Sequence, residues 1–313
     1  MKIACIGEAM VEVALIGPNG AAKVGFAGDV LNTAIYLRRA LPAPHEVAFV
    51  SMIGRDSLSD QMAAFMETEG ISTAHLARHP TLVPGLYTIA TDPAGERSFA
   101  YWRDTSAARQ MFTDAAAIQP LLGFDLIYLS SITLAILPDP ARQALFAVLA
   151  QVRAKGGRVA FDSNHRPRLW PDLATAQRVV EQAWRGCDVG LPSLDDEMAL
   201  FGDANAAQVQ ARLLGWGVRQ GALKCAALGP VSLGAGWGKD VHFAPAPTVV
   251  DTTAAGDSFN GGYLGALVLG ATPLDAAKAG HAFARAVVQH RGAIVPRADW
   301  GKALAVGARA ALE

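Results

Sequence analysis

The sequence predicts an α/β fold: a doubly wound, mainly parallel sheet with helices on both faces, plus a small β-sheet lid. Three observations lead there. Short, uniformly apolar runs alternate with longer helical patterns along most of the 313 residues, and runs too apolar to meet water on either side mark buried parallel strands. The longer stretches open on capping residues and close on glycine, as helices do. Two other segments break the rhythm and carry hairpin signals instead. With 51% hydrophobic and 18% charged residues, the chain can bury the core of one domain, taken here as 1–313.

Taken in order, KIACIGEAM (2–10) is the first strand-like run. VEVALIGPNGAAKVGFAG (11–28) reads as a hairpin turning at Pro18-Asn19-Gly20. EVAFVSMIG (46–54) is a strand, and DSLSDQMAAFMETEG (56–70) is the helix after it. LVPGLYTIATDPAGERSFAYWRD (82–104) shows two strands around the turn signal Asp92-Pro93-Ala94-Gly95. The α/β alternation then resumes. DLIYLSSI (125–132), RVAFDSN (158–164), CDVGLPS (187–193) and LKCAALG (223–229) are strands, while DPARQALFAVLAQVRAKGG (139–157) and ANAAQVQARLLGWGVRQG (204–221) are helices. The two β excursions, about 11–32 and 82–106, are expected to pair into a lid over a site at the carboxyl ends of the strands, where such sheets bind ligands. No internal repeat or low-complexity segment interrupts the chain.

Charge and composition exclude several classes of function. The formal net charge is −1 with no basic block, so a nucleic-acid partner has no electrostatic support. No stretch reaches the ~18 uninterrupted apolar residues of a membrane helix. MKIACIGEAM runs straight into a strand, without the features of a secretory signal. Cys5, Cys187 and Cys225 sit in apolar contexts without metal-ligand spacing, as buried thiols of a reducing cytoplasm would.

The stretch VVDTTAAGDSFNGGYLGALVLG (249–270) sets a lone carboxylate, Asp257, just behind tiny residues and at the start of a helix-like run. One reading is a helix cap. The other is a phosphoryl-transfer site. In that reading, unblocked amides around Ala254, Ala255 and Gly256 meet an anion, and Asp257 takes the proton of an attacking hydroxyl.

D-T-x-A-A-G-D resembles the C-terminal signature of the ribokinase-like (PfkB-type) carbohydrate kinases. Ala27-Gly28-Asp29-Val30-Leu31-Asn32-Thr33-Ala34 is similar to the family's N-terminal motif. Ile53-Gly54-Arg55-Asp56 matches its G-x-D, with Ser59 where glycine is common. The resemblance runs from Ile6-Gly7-Glu8 to Arg291-Gly292-Ala293. It implies the ribokinase-like form of the predicted fold, ATP and Mg²⁺ as cofactors, and an assembly of identical subunits through the lids. It also implies sugar contacts from Gly28, Asp29 and Asn32, and a catalytic base at Asp257.

Within the family, Pro84-Gly85-Leu86-Tyr87, Tyr101-Trp102-Arg103 and the run Phe161 to Trp170 resemble 2-keto-3-deoxygluconate kinases. A sugar acid needs a charge-assisted partner for its carboxylate, and arginine suits it. Arg103 and Arg166 are the candidates, with Tyr87 and Tyr101 as hydroxyl donors and an apolar wall, or simply as lid packing. On the nucleotide side the resemblance implies contacts from Ser193, Gly229, Ser232, Gly256 and His281, the last of which equally suits a structural role. Ala227 stands where relatives often carry lysine. Magnesium, held through water, falls to Asp196 or Glu197, which equally suit N-terminal capping of a helix. Asp251 is the candidate for a monovalent cation such as K⁺. Gly234-Ala235-Gly236-Trp237-Gly238-Lys239 imitates a phosphate loop, but no helix is expected after it and a hairpin turn is preferred.

Overall fold

A computed structural model describes residues 1–16, 20–91, 97–234, 236–237 and 241–309. The strands are β1 (Lys2–Ile6), β2 (Met10–Leu15), β3 (Ala22–Ala27), β4 (Glu46–Ile53), β5 (Leu76–Arg78), β6 (Gly85–Thr91), β7 (Arg97–Trp102), β8 (Leu126–Ser130), β9 (Arg158–Asp162), β10 (Val189–Gly190), β11 (Gln220–Lys224) and β12 (Pro230–Gly234). The helices are α1 (Asp29–Ala40), α2 (Ser57–Thr68), α3 (Ser131–Ile136), α4 (Asp139–Ala154), α5 (Leu173–Arg185), α6 (Leu194–Phe201), α7 (Ala206–Gly215), α8 (Ala255–Val268), α9 (Pro273–Val287) and α10 (Arg297–Arg309).

The main sheet has eight strands in the order β12-β11-β10-β9-β8-β1-β4-β5. Its neighbours run parallel except the β11–β12 hairpin at one edge. Alternation along β1 sends Ala4 and Ile6 into the core beneath α4, α5 and α7, and Ile3 and Cys5 into the core shared by α1, α2, α8 and α9. Both faces are therefore covered, as the apolar strands require. All three cysteines are buried as free thiols.

The two β excursions do join. β2 pairs antiparallel with β3 and parallel with β6, and β6 pairs antiparallel with β7, giving a second sheet in the order β3-β2-β6-β7. The first excursion ends at Ala27, because Asp29 already begins α1. The turn residues Pro18-Asn19 and Asp92 to Gly95 lie outside the described residues, as do Ala235, Gly238 and Lys239.

Two sequence expectations need correction. LKCAALG is not a strand: β11 stops at Lys224, and Ala226–Leu228 form a 3₁₀ turn with Ala226 at φ 47°. That turn makes the β11–β12 hairpin. The strand that a hairpin at Gly234 to Lys239 requires is not seen either: none follows Gly234 among the described residues before α8 begins at Ala255. No helix among the described residues is long and apolar enough to cross a membrane.

Candidate active site

The site gathers at the carboxyl ends of the parallel strands. α8 begins there, and its N-cap, Ala254, takes a left-handed conformation (φ 60°, ψ 17°) that costs a residue with a Cβ. This turn presents the start of the helix to the site. The Ala255 N–H is already bonded to Thr252 O at 3.2 Å. No acceptor among the described residues takes those of Gly256 and Asp257, so they are the orphan donors of this helix end. Asp251 holds the preceding loop: its Oδ1 accepts from Thr253 N at 3.0 Å and its Oδ2 from Gly292 N at 2.6 Å.

α1 enters from the other side. Gly28 is needed at its start because a Cβ there would lie 2.3 Å from the Glu8 carbonyl oxygen. Asn32 Nδ2 donates to Asp257 Oδ2 at 2.8 Å. Asp29 Oδ2 accepts from Asn164 Nδ2 at 2.8 Å and from Ser130 Oγ. Burial, then the nearby Asp29 charge, pushes the Asp257 carboxyl up to about 8, while the Asn32 amide pulls it down.

One face of the lid looks at this floor. Glu12, Tyr87 and Tyr101 sit side by side in register across β2, β6 and β7, and Met10, Tyr87 and Ile89 pack on Ala293 and Ala254. The Tyr87 hydroxyl donates to Glu12, and its ring stacks on Tyr101 at 5.7 Å. Burial and then Glu12 raise the Tyr87 phenol; Asp257 adds to the shift. Arg103, just past β7, is buried and paired with the equally buried Glu8. Arg103 Nε and Glu8 Oε1 have no partner among the described residues.

On the opposite side, Ser193 precedes α6 and bridges to Lys224, with its N–H donating to Ser163 Oγ at 3.0 Å. Asp196 and Glu197 diverge. Glu197 is fully buried, accepting from Trp184 Nε1 at 3.1 Å and Arg212 Nη2 at 2.9 Å, so it belongs to the core and not to the site. Asp196 faces the site: burial and then the Asp162 charge raise its carboxyl, against the pull of Arg166 and Lys224. Arg166 is more than half exposed, 3.8 Å from Asp196.

Gly229, just before β12, has φ 79°, and a Cβ there would meet the Phe243 Cβ at 2.7 Å. Phe243 in turn lies 5.1 Å from the His281 ring, whose Nε2 bonds the Ala244 carbonyl at 2.7 Å. Burial lowers the His281 imidazole, which suits a neutral ring. Ser232, two residues into the hairpin strand, is buried, and its carbonyl accepts from Gln210.

Sequence reasoning missed three members of the cluster. Lys224 Nζ lies 3.0 Å from Asp162 Oδ2 and 3.1 Å from Asn260 Oδ1. Asn260 Nδ2 donates to the same Asp162 oxygen at 2.7 Å and lies 3.0 Å from the Tyr128 hydroxyl. A lysine thus reaches this cluster from the last residue of β11, three residues before Ala227. The available signal was a lone charge closing an apolar strand.

An α/β sheet with a β lid, and a carboxylate at the bare N-terminus of a helix beneath it, define a class: phosphotransferases that close over a small alcohol. The profile of the pfkB family carbohydrate kinases matches residues 1–300, and the chain belongs to that family. It is 43% identical over 303 residues to the 2-dehydro-3-deoxygluconokinase of Escherichia coli K12, covering 95% of this chain and 97% of that one. The Dickeya dadantii enzyme of the same name is 42% identical, covering 94% and 97%. Among solved structures, a PfkB protein from Polaromonas sp. JS666 superposes with a TM-score of 0.82 at 28% identity, covering 96% of this chain and 99% of that one.

Proposed function

We propose that the chain transfers the terminal phosphoryl group of ATP to the terminal hydroxyl of 2-keto-3-deoxygluconate, giving 2-keto-3-deoxy-6-phosphogluconate. The observation that carries this reading is Asp257, hydrogen-bonded to Asn32 at the mouth of α8. It lies below a lid whose facing side carries Tyr87 and Tyr101. Relatives of that activity, at 38–43% identity over nearly the whole chain, support it.

The sugar hydroxyl loses its proton to Asp257 as its oxygen bonds to the γ-phosphorus. The bond from that phosphorus to the bridging oxygen breaks, and its electron pair leaves with ADP. The amides of Gly256 and Asp257 and the α8 dipole receive the charge of the transferring group. Gly28, Asp29 and Asn32 orient the sugar, and Arg103 and Arg166 are the cations for its carboxylate. Lid closure keeps water from the phosphoryl group.

Among the described residues no three His, Cys, Asp or Glu side chains gather into a metal cage. Magnesium keeps waters and phosphate oxygens and takes one or two protein carboxylates. Asp196 would hold it through water, and bound magnesium neutralises nucleotide charge. Asp251 remains the candidate for a monovalent cation, tested by comparing activity in K⁺ and in tetramethylammonium salts. Pairing of lids between subunits is supported by the exposed Val24 and Trp102, on the lid face opposite Tyr87 and Tyr101, and sedimentation tests it.

An ADP-release assay decides the substrate. Turnover with 2-keto-3-deoxygluconate and little with fructose or ribosides is expected. Preference for a neutral sugar would replace this reading with another kinase of the family, of which the 29%-identical fructokinase of Vibrio alginolyticus is an example. No sugar-stimulated ADP release at all would leave a non-catalytic sugar-acid-binding protein, against which the intact Gly256-Asp257 pair argues.

A further inference from the structure

We propose that Lys224 is a phosphoryl-contacting cation of this site, and that Asp162 and Asn260 are the residues that position it. The proposal rests on the kinase reading above, but not on which alcohol is phosphorylated.

An ammonium has three N–H donors. Two of them are accounted for by Asp162 Oδ2 at 3.0 Å and Asn260 Oδ1 at 3.1 Å. Asn260 is itself held, because its Nδ2 lies 2.7 Å from Asp162 Oδ2 and 3.0 Å from the Tyr128 hydroxyl, which also accepts from Thr33 Oγ1. Its carbonyl oxygen is thereby left to the lysine. The direction of the remaining N–H follows from Gly256. A Cβ built there would lie 3.5 Å from Nζ, so the ammonium sits against the helix start whose amides lack partners, with no side chain between them.

The surrounding charges give this placement its purpose. Asp29, Asp162, Asp196 and Asp257 come from four different elements, and all bear on this floor. A polyphosphate arriving there adds more negative charge. Arg166 is turned to the outer side of Asp196 and largely exposed, whereas Lys224 is nearly buried between Asp162 and Gly256. A cation fixed before the reaction, in a site from which water is excluded, stabilises charge as it shifts between oxygens without reorganising. Lys224 stays protonated throughout, since the hydroxyl proton goes to Asp257 and the leaving electron pair to ADP.

The competing explanation is that Lys224 merely neutralises Asp162, and variants separate the two. Lys224→Met is expected to lower kcat at least ~100-fold with the sugar KM within about threefold, the pattern of a contact made in the transition state. Because that variant strands a buried carboxylate, the double variant Lys224→Met/Asp162→Asn carries the decisive test: it removes one charge of each sign and so leaves the net charge of the interior unchanged. It should fold and remain as impaired as the single variant. Recovery of kcat to within about threefold of wild type would make Lys224 a counter-ion only and overturn the proposal.

Calorimetry with ADP, alone and with aluminium fluoride as the phosphoryl mimic, gives a readout that needs no sugar. The wild type should bind the pair at least ~10-fold more tightly than ADP, and the double variant should bind both equally. An unchanged preference in the double variant, or none in the wild type, overturns the proposal. Failure of wild-type turnover on the sugar acid overturns only the substrate reading. Asn260→Ala leaves the ion pair in place and should lower kcat about tenfold with both KM values unmoved. A KM effect with kcat intact would remove its positioning role.

Discussion

Asn32 Nδ2 and Asp257 Oδ2 meet at 2.8 Å across 225 positions of sequence. The contact joins the first turn of α1 to the first turn of α8, so the motif proposed to orient the sugar and the carboxylate proposed to deprotonate it form one unit. Asp29 lies on the same side of α1, tied to Ser130 and Asn164.

Replacing Asp257 with asparagine keeps the shape and removes the proton acceptor. Steady-state kinetics should show kcat lowered about 10²–10⁴-fold and the sugar KM changed by only a few-fold. A variant with near wild-type kcat would show that Asp257 is not the base.

The pH dependence has a definite sign. Asp257 must be ionised to accept a proton, and burial with the Asp29 charge moves its carboxyl up to about 8. The rate should therefore rise with pH along a limb centred near 8. The Asn32 amide favours the charged form, so Asn32→Ala should move the limb to higher pH, as read from kcat/KM profiles. Asp162, Asp196 and Lys224 face the same carboxyl region and stay in place in that variant.

Asp196 and Glu197 should separate cleanly in a magnesium titration. Asp196→Asn is expected to raise the magnesium concentration for half-maximal activity at least ~5-fold. Glu197→Gln should leave it unchanged and instead lower stability by about 2 kcal/mol, because Arg212 loses a buried charged partner.

Glu8→Gln should destabilise the protein by about 3 kcal/mol in urea unfolding, since it leaves the Arg103 guanidinium buried without its counter-charge. A change under 1 kcal/mol would mean that solvent reaches the pair.

Arg103→Lys retains the charge but not the planar fork that binds a carboxylate through two bonds. It should raise the KM for the sugar acid about tenfold, while Arg166→Ala, on the Asp196 side, raises it less. The reverse order in kinetic assays would move the carboxylate contact to Arg166.

The parallel sheet was legible because strands buried on both faces are apolar throughout, and Asp257 because the tiny residues before it leave room for little besides a ligand, whereas Asn32 was legible only through the resemblance of its motif to the family's. What escaped depended on three-dimensional neighbours. Lys224 was read as part of a strand that runs on to Gly229, yet the chain leaves the sheet at that residue. Asp162 lay inside a quoted stretch without a task, since nothing local shows that Lys224 and Asn260 converge on it. The Asp196–Glu197 ambiguity had no helical signal to resolve it: Leu200 lies four residues from one and three from the other, so it shares a face with both, although only Glu197 is buried with it. Glu8 gave no sign either, because its partner comes from the lid.

The small residues of α8 do more than bare its first turn. A Cβ on Gly261 would lie 2.6 Å from that of Tyr36, and one on Gly265 would lie 2.5 Å from that of Ala40, so α8 and α1 press backbone to backbone along their length. Tyr36 extends the clamp by bonding Ala293 O at 2.8 Å and Val295 N at 3.1 Å. The two helices that supply Asp257, Asn32 and Asp29 are thus locked as a single block, while Tyr87, Tyr101 and Arg103 arrive on separate strands above it. In the proposed reading the lid adds its own acceptor contacts from outside that block, so an exchange of lid segments retunes them while the transfer machinery keeps its alignment.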